Sequence, residues 1–323
     1  MKAIVQDRNG SAEVLRMADI DRPVPDDDEV LVRVHAAGLD PGVWHLLTGL
    51  PYLMRSTGHG LRKPAIRVLG RDIAGRVEEV GRRVTHFQRD DLVFGICEGS
   101  FAEYACVRPE KLAIKPANLT YVQAAAVPTS ALTALHGLRD WGGIRAGQHV
   151  LIIGAAGGVG TFAVQLAKAY GAIVTGVCST AKVELVRSIG ADDVIDYLHE
   201  DFAEGSRDYE LILDTAGNRS LSRLRRVLTA RGTLVITGGE SGGHWSAGMD
   251  RRLRALMLSP FVGQKLLGFR MVESSEDLVV VRDFIEAGKV VPIIDTTYPL
   301  SETAEAISHA RQAHASGKVV ITI

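Results

Sequence analysis

The residues best equipped for chemistry lie near the middle of the chain. There His149-Val150-Leu151-Ile152-Ile153 runs into Gly154-Ala155-Ala156-Gly157-Gly158-Val159-Gly160-Thr161. Read from Ala155, the segment has the small-x-Gly-x-x-Gly spacing of a phosphate-binding loop. Gly157 lets backbone approach a pyrophosphate, and Gly160 lets the next helix pack close to the strand. The first N–H groups of that helix, beginning at Gly158 and Val159, face the anion with the positive end of the helix dipole. A glycine triplet alone also makes a tight strand-to-helix turn. The apolar strand before it and the helix after it, inside a β-α-β unit, favour a dinucleotide.

The next strand tells which dinucleotide. It ends in Thr175-Gly176-Val177-Cys178-Ser179-Thr180-Ala181-Lys182, with no acid to bind ribose hydroxyls. Ser179 and Thr180 offer hydrogen bonds to a 2′-phosphate and Lys182 offers charge, which predicts NADPH. The plainer reading makes Ser179 a helix cap and Lys182 a solvated lysine. Tyr197, after Val194-Ile195-Asp196, is expected beside the adenosine or in the core. Asp214-Thr215-Ala216-Gly217 and Thr237-Gly238-Gly239 end successive strands, where open α/β sheets bind ligands, so Thr215 and Gly238 join the candidate cofactor residues.

These residues need a scaffold, and the chain alternates accordingly. Strands are expected at His149–Ile153, Ile173–Val177, Asp193–Ile195, Leu211–Leu213 and Thr233–Thr237, with helices at Val159–Tyr170, Ala181–Ile189, Leu221–Leu228 and Ser275–Ala287. Nearly continuous apolar strands separated by helices imply a doubly wound parallel sheet covered on both faces. The first hundred residues read differently, as short strands such as Ala3–Val5, Val30–Val34, Gly75–Val80, Leu92–Phe94 and Phe101–Val107, broken by Gly, Pro and Asp. Helical signals cover Tyr121–Trp141. The chain closes with strands Ile293–Tyr298 and Val319–Ile323 around a helix at Glu302–Gln312, so both ends supply one β-rich domain. The expected division is 1–122 with 290–323 for that domain and 123–289 for the Rossmann domain. Residues 46–64 form a long Gly- and Pro-rich loop holding Tyr52, Arg55, His59 and Arg62, and 239–248 reads as a flap.

Composition removes other classes of function. At 323 residues the chain suits two domains, each with its own core. Its 37 Lys and Arg against 38 Asp and Glu give a formal net charge of −1, and the Arg251–Arg254 cluster is short and reads as a solvated helix face. Neither nucleic acid nor anionic membrane is expected as a partner. Three scattered cysteines make neither a disulfide framework nor a four-cysteine metal site. Met1–Val5 reads as a strand rather than a secretory signal, no apolar run spans a bilayer, no internal repeat is apparent, and a cytoplasmic location is expected.

Several segments, taken in order, resemble the medium-chain dehydrogenase/reductase superfamily, in its zinc-independent quinone oxidoreductase branch. They are Gly38-Leu39-Asp40-Pro41-Gly42-Val43-Trp44, Leu69-Gly70-Arg71-Asp72-Ile73-Ala74-Gly75-Arg76-Val77, Gly99-Ser100-Phe101-Ala102-Glu103-Tyr104, the loop Ala155 to Gly160, Gly190-Ala191-Asp192 with Asp196-Tyr197, and Gly317-Lys318-Val319-Val320. The resemblance implies a GroES-like domain built from both chain ends around a Rossmann domain, and a homodimer. It places Asp40 near the nicotinamide, where many relatives carry Asn, puts Thr133 on the nicotinamide side, and allows Lys318 to approach the cofactor. Zinc-containing members carry a cysteine ligand where this chain has Asp40, Gly-His-Glu where it has Gly70-Arg71-Asp72, and a four-cysteine lobe that is absent here. Asp40 and Asp72 with His45 or His59 match no known ligand spacing, so no metal is expected.

Without a Lewis acid to polarise an alcohol or aldehyde oxygen, a conjugated acceptor is the better substrate, because its π system spreads the charge arriving with hydride. The expected activity is NADPH-dependent reduction of a quinone or an α,β-unsaturated carbonyl. Tyr52 is the candidate proton donor or carbonyl-binding hydroxyl, with an aromatic pocket wall as the alternative, and Asp40 is the second candidate catalytic residue. The competing functions are a zinc-free carbonyl or alcohol dehydrogenase and a non-catalytic NADPH-binding protein.

Overall fold

The computed structural model describes residues 1–51, 64–204, 208–238, 249–269, 271–312 and 315–323. Tyr52, Arg55, His59 and Arg62, and the flap expected at 239–248, lie outside these residues. The chain divides into two compact units. One comprises Met1–Leu132, Val272–Gly288 and Pro292–Ile323, and the other Thr133–Met271 with Lys289–Val291.

The first unit is β-rich. Its leading strands are Lys2–Gln6 (β1), Leu15–Asp19 (β2), Val30–Leu39 (β3), Asp72–Val80 (β4), Leu92–Ile96 (β5), Tyr104–Val107 (β6) and Leu112–Ile114 (β7). The second unit contributes His149–Ile153 (β8), Ile173–Cys178 (β9), Asp193–Asp196 (β10), Tyr209–Asp214 (β11), Leu228–Ile236 (β12) and Lys265–Gly268 (β13). The chain then returns to the first unit with Ile294–Pro299 (β14) and Lys318–Thr322 (β15).

In the first unit the sheet order is β14-β15-β3-β4-β5-β7, with β6 also paired to β3 and a separate β1-β2 hairpin. The closing strand β15 pairs antiparallel with β3, setting Val320 opposite Gly38, so both chain ends build this sheet. Gly38 is required by a close approach: a Cβ there would lie 2.2 Å from the Ala125 carbonyl oxygen. That carbonyl belongs to the helix Tyr121–Ala125, started by a capping box of Thr120 and Gln123. Pro128 lacks an N–H and opens the separate helix Pro128–His136, which is why the helical stretch expected over Tyr121–Trp141 is interrupted.

The units divide at other residues than the expected 122/123 and 289/290. Ala124 and Ala125 are buried on β3 and β4. The helix Ser275–Glu286 packs on β7, with Asn118 Nδ2 donating to the Ile285 carbonyl at 2.9 Å and the Ala117 N–H donating to Glu286 Oε1 at 2.9 Å. These contacts hold both segments to the β-rich unit.

The second unit is a six-stranded parallel sheet in the order β10-β9-β8-β11-β12-β13. This is the doubly wound arrangement, whose order reverses between β8 and β11 and leaves a crevice at the carboxyl ends of those strands. Leu151, Ile153, Val177, Ile212, Leu234 and Ile236 share its buried core. The helix Gly158–Ala169 buries Phe162, Ala163, Val164 and Leu166, which holds its N-terminus firmly at the end of β8. The expected strand at Thr233–Thr237 begins earlier, at Leu228, and the expected helix Ala181–Ile189 is a 3₁₀ turn Thr180–Lys182 followed by Val183–Ser188.

Candidate functional site

The glycine loop divides its work among its members. Gly154 has φ +82°, a conformation that favours glycine, and a Cβ there would stand 2.6 Å from Thr215 Oγ1. A Cβ on Gly160 would stand 2.0 Å from the Gly154 carbonyl, so Gly160 is what allows helix and strand to meet. Gly157 is different. It is the N-cap of the helix Gly158–Ala169, with ordinary extended backbone (φ −81°, ψ 175°), and a Cβ there would meet nothing nearer than the Gly154 carbonyl at 3.4 Å. Gly154 and Gly160 therefore serve the fold, whereas no close contact within the fold requires a glycine at Gly157. The N–H groups of Gly158, Val159 and Gly160 fall in the first helical turn, where no intrahelical acceptor exists. The residues thus fit a dinucleotide phosphate. Ala155 is fully buried and gives its N–H to the Val177 carbonyl at 3.0 Å, a packing role.

Thr215 and Gly238 frame the same strand ends. The Thr215 hydroxyl and N–H both donate to the Ile153 carbonyl, at 2.8 and 3.0 Å. Gly238 donates to the Asp214 carbonyl at 3.1 Å and would collide with the Thr215 carbonyl if it bore a Cβ. Both residues shape the crevice with bonds internal to the fold.

At the end of β9, Ser179 caps the turn Thr180–Lys182 without a side-chain cap bond, and Lys182 is half-buried. The Thr180 hydroxyl is already engaged, donating to Asp196 Oδ2 at 2.5 Å, with His199 Nδ1 2.7 Å from the same oxygen. Asp196 closes β10 opposite Cys178. The Thr180 hydrogen bond, more than any other influence, holds the Asp196 carboxyl below its ordinary value. Tyr197 is not a core residue: it is 44% exposed, and the Arg219 guanidinium carbon lies 5.7 Å from its ring centroid. A cavity of about 780 Å³ opens beside Tyr197 and is also lined by His199, Arg219 and Arg223. Arg219 is a cation at this edge that no local motif announces. Thr133 lies half-buried in the helix Pro128–His136.

A second constellation lies in the first unit. Asp40 is 5% exposed and is the N-cap of the helix Pro41–Thr48. Its Oδ1 accepts the Gly42 N–H at 2.7 Å, and its buried Oδ2 has no hydrogen-bond partner. Beside it stands Arg71: a Cβ on Gly42 would be 2.7 Å from Asp40 Oδ1 and 3.5 Å from Arg71 Nη1. Arg71 donates to Glu273, whose other oxygen is 2.5 Å from Lys111 Nζ. Burial works against the Arg71 charge, but the carboxylates of Asp40, Glu273 and Asp72 outweigh it and raise the guanidinium above its ordinary value.

Asp72, fully buried, takes Lys318 Nζ at 3.2 Å on one oxygen and the Thr129 hydroxyl and N–H at 2.5 and 3.0 Å on the other. Lys318 is 2% exposed. The Lys318 ammonium, expected either to approach the cofactor or to be exposed, is buried and paired with Asp72, as buried charges ordinarily are.

Among the candidate metal donors, Asp72 is committed to Lys318 and Thr129, whereas Asp40 keeps one unpartnered oxygen and His59 lies outside the described residues. His45 Nδ1 lies 2.8 Å from the Leu50 carbonyl, and the Cys97 thiol is pushed up by burial and then by the Asp72 carboxylate, opposite to what a thiolate ligand needs.

This cluster carries a pH prediction. Burial alone would raise the Glu273 carboxyl, but Lys111 and Arg71 together hold it below its ordinary value. A carboxyl depressed in the folded state adds stability above its unfolded value of about 4.3, and that stability is lost as pH falls through the folded value. Glu273→Gln is therefore expected to lower the melting temperature at pH 7, with the difference from the parent protein shrinking as pH falls below about 4.3. A difference independent of pH would remove the charge argument.

Comparison with known proteins gives concordant relatives. Residues 26–117 match the family described as alcohol dehydrogenase GroES-like domain, and residues 189–321 the one described as zinc-binding dehydrogenase. The chain is 34% identical over 368 residues to the mitochondrial NAD(P)H oxidoreductase RTN4IP1 of Bos taurus, covering 100% of this chain and 89% of that protein. It is 33% identical over 339 residues to 2-methylene-furan-3-one reductase of Solanum lycopersicum, covering 99% and 79%. Among solved structures, the quinone oxidoreductase from Coxiella burnetii superposes with a TM-score of 0.85 at 28% identity, covering 100% and 99% of the two chains.

Proposed function

The chain belongs to the medium-chain dehydrogenase/reductase superfamily, in its quinone oxidoreductase-like branch, and from that premise we propose that it is an NADPH-dependent reductase of quinones or α,β-unsaturated carbonyls that works without a metal. The observation carrying this reading is the Arg71 guanidinium beside Asp40, with Lys318 on Asp72. By resemblance, Asp40 and Arg71 stand where zinc-containing relatives carry ligands. Fixed cations balance the carboxylates in place of an ion and leave no open coordination position for a carbonyl oxygen. One matching family is described as zinc-binding dehydrogenase, and against that description stand the buried cations on this chain's carboxylates, a donor set that does not fit the ion.

The glycine loop and the first turn of the helix Gly158–Ala169 would hold the diphosphate, with Thr215 and Gly238 shaping the crevice. When bound, NADPH supplies the hydride. The chain's part is to orient it, exclude water and manage charge at the acceptor oxygen. Asp40, with its unpartnered oxygen, and Tyr52 remain the proposed residues near the acceptor, and Thr133 the proposed neighbour of the nicotinamide. NADPH oxidation by the purified chain tests the reading with a simple quinone, an α,β-unsaturated ketone and a saturated aldehyde. Turnover of a conjugated acceptor supports it. Turnover of the aldehyde alone points to a carbonyl or alcohol dehydrogenase, and tight NADPH binding with no turnover points to a binding protein.

Cofactor choice rests on Lys182, with Ser179 and, at the Tyr197 edge, Arg219. Lys182→Ala is expected to reduce the NADPH-over-NADH preference about tenfold, or about 1.4 kcal/mol, the scale of one charge-assisted contact. An unchanged ratio would remove Lys182 from the site.

The reading includes a homodimer. Leu253, Leu256, Met257 and Phe261 are 59%, 60%, 71% and 85% exposed on and just after the helix Met249–Leu258, and they precede β13, an edge of its sheet. Such an apolar row beside an open edge is the kind of surface that subunit association covers. Phe261→Asp is expected to convert a sedimenting dimer into monomer. A parent protein that sediments as a monomer at the same concentration would contradict the assignment. Among the described residues no helix is long and apolar enough to cross a membrane. The proposed cytoplasmic location is checked by imaging the tagged chain.

A further inference from the structure

The glycine loop does not account for every polar group that the second unit turns toward its strand ends. Arg251 and Arg252 lie in the first turn of the helix Met249–Leu258, where the sequence suggested a solvated face. The structure corrects that expectation, because both guanidiniums are directed inward. Arg251 Nη2 donates to Asp214 Oδ2 at 2.5 Å, and Asp214 is fully buried, its other oxygen accepting the Gly217 N–H at 3.0 Å. Arg252 Nη2 donates to the Thr237 carbonyl at 2.5 Å. The remaining nitrogens Arg251 Nε, Arg251 Nη1 and Arg252 Nε are buried and have no acceptor.

Arg251 thus has one carboxylate, Arg252 meets a backbone carbonyl, and three buried donors stay unspent. Buried charges are ordinarily paired, and each donor left without an acceptor costs free energy that folding does not return. Burial, and then repulsion by Arg251, hold the Arg252 guanidinium below its ordinary value. An arrangement that folding disfavours at one place calls for a ligand there.

Its position says which kind. Asp214 closes β11 and pairs with Ile153, the residue before Gly154, while Thr237 follows the last residue of β12. The unspent donors therefore lie one strand over from the glycine loop, at the carboxyl ends where parallel sheets bind ligands. We propose that Arg251 and Arg252 form an oxyanion subsite at the ends of β11 and β12, separate from the glycine loop, which accepts carboxylate or phosphate oxygens. Two sources have this chemistry: the diphosphate of the dinucleotide, and an acidic group carried by the acceptor itself.

The test uses the purified full chain and two variants. Asp214→Asn with Arg251→Gln removes both members of the buried pair, so that no lone charge is left behind. Arg251→Lys keeps the ion pair, withdraws the other donors, and guards against a misfolded double variant. Inorganic phosphate, followed by thermal shift in a Gly157→Val background that blocks the glycine loop, is expected to stabilise the chain, and either subsite variant should at least halve that shift. NADPH affinity by fluorescence and the KM for an enone with and without a carboxylate then identify the source. An affinity loss of about tenfold with an unchanged KM ratio assigns the oxyanion to the cofactor. A KM rise of about tenfold confined to the carboxylate-bearing enone assigns it to the acceptor. Folded variants with the parent's phosphate response, NADPH affinity and KM ratio would overturn the subsite. Failure of the parent protein to reduce any acceptor would instead overturn the proposed activity, leaving the phosphate arm intact.

Discussion

Gly157→Val is expected to yield a folded protein that has lost its cofactor. The isolated chain has room for the new side chain, since a Cβ at Gly157 would lie 3.4 Å from the Gly154 carbonyl and near nothing else. Its backbone is extended, a conformation valine adopts readily. The branched side chain would occupy the volume through which a pyrophosphate reaches the N–H groups of the first helical turn. The expected loss of NADPH affinity is about 100-fold, or about 2.8 kcal/mol, with a melting temperature close to that of the parent. Gly160→Val provides the contrast: its Cβ would sit 2.0 Å from the Gly154 carbonyl, so the fold itself should suffer. Parent-like NADPH affinity in a folded Gly157→Val protein would refute the loop assignment.

The second large effect concerns stability. Lys318→Met leaves the fully buried Asp72 without its cation, and breaking one side of a buried pair costs about 3–5 kcal/mol. The loss should appear as an earlier urea midpoint. Asp72→Asn combined with Lys318→Met should recover most of it, because neither charge then remains uncompensated. If Lys318 instead served the cofactor, Lys318→Met would weaken NADPH binding at unchanged stability. The two outcomes separate a structural cation from a ligand contact.

Sequence reading succeeded where the relevant residues are local to one another. The loop from Gly154 to Gly160 announces itself because strand, turn and helix are contiguous, and the alternation of elements around it fixes a doubly wound sheet. The pairing of both chain ends was legible because the last strand, like the early ones, is short and apolar; it sits on β3. What escaped depends on contacts between distant segments. Asp196 meets Thr180 only because β10 lies beside β9, so an acid missing from the end of one strand is present at the end of its neighbour. Glu273 meets Arg71 across 202 positions, and no spacing rule links them.

The helix Met249–Leu258 shows the same limit most sharply. Its arginines read as a solvated face, yet Arg251 and Arg252 turn inward while Leu253 and Leu256 are exposed. Local hydropathy reports which residues share a face. Which face is covered depends on what stands opposite, here Asp214 and the Thr237 carbonyl. An inverted face of this kind marks either a ligand or a partner subunit, and this helix offers reasons for both.

In the proposed function, hydride reaches a conjugated acceptor without zinc, with Arg71 and Lys318 balancing the buried carboxylates. The most direct measurement is NADPH oxidation with an α,β-unsaturated ketone and with a quinone, before and after exhaustive chelation, with the zinc content of the same sample determined in parallel. The predicted result is turnover of at least one conjugated acceptor, unchanged by chelation, in protein holding well under one zinc per chain. Turnover that falls with chelation and returns on adding zinc would contradict the account.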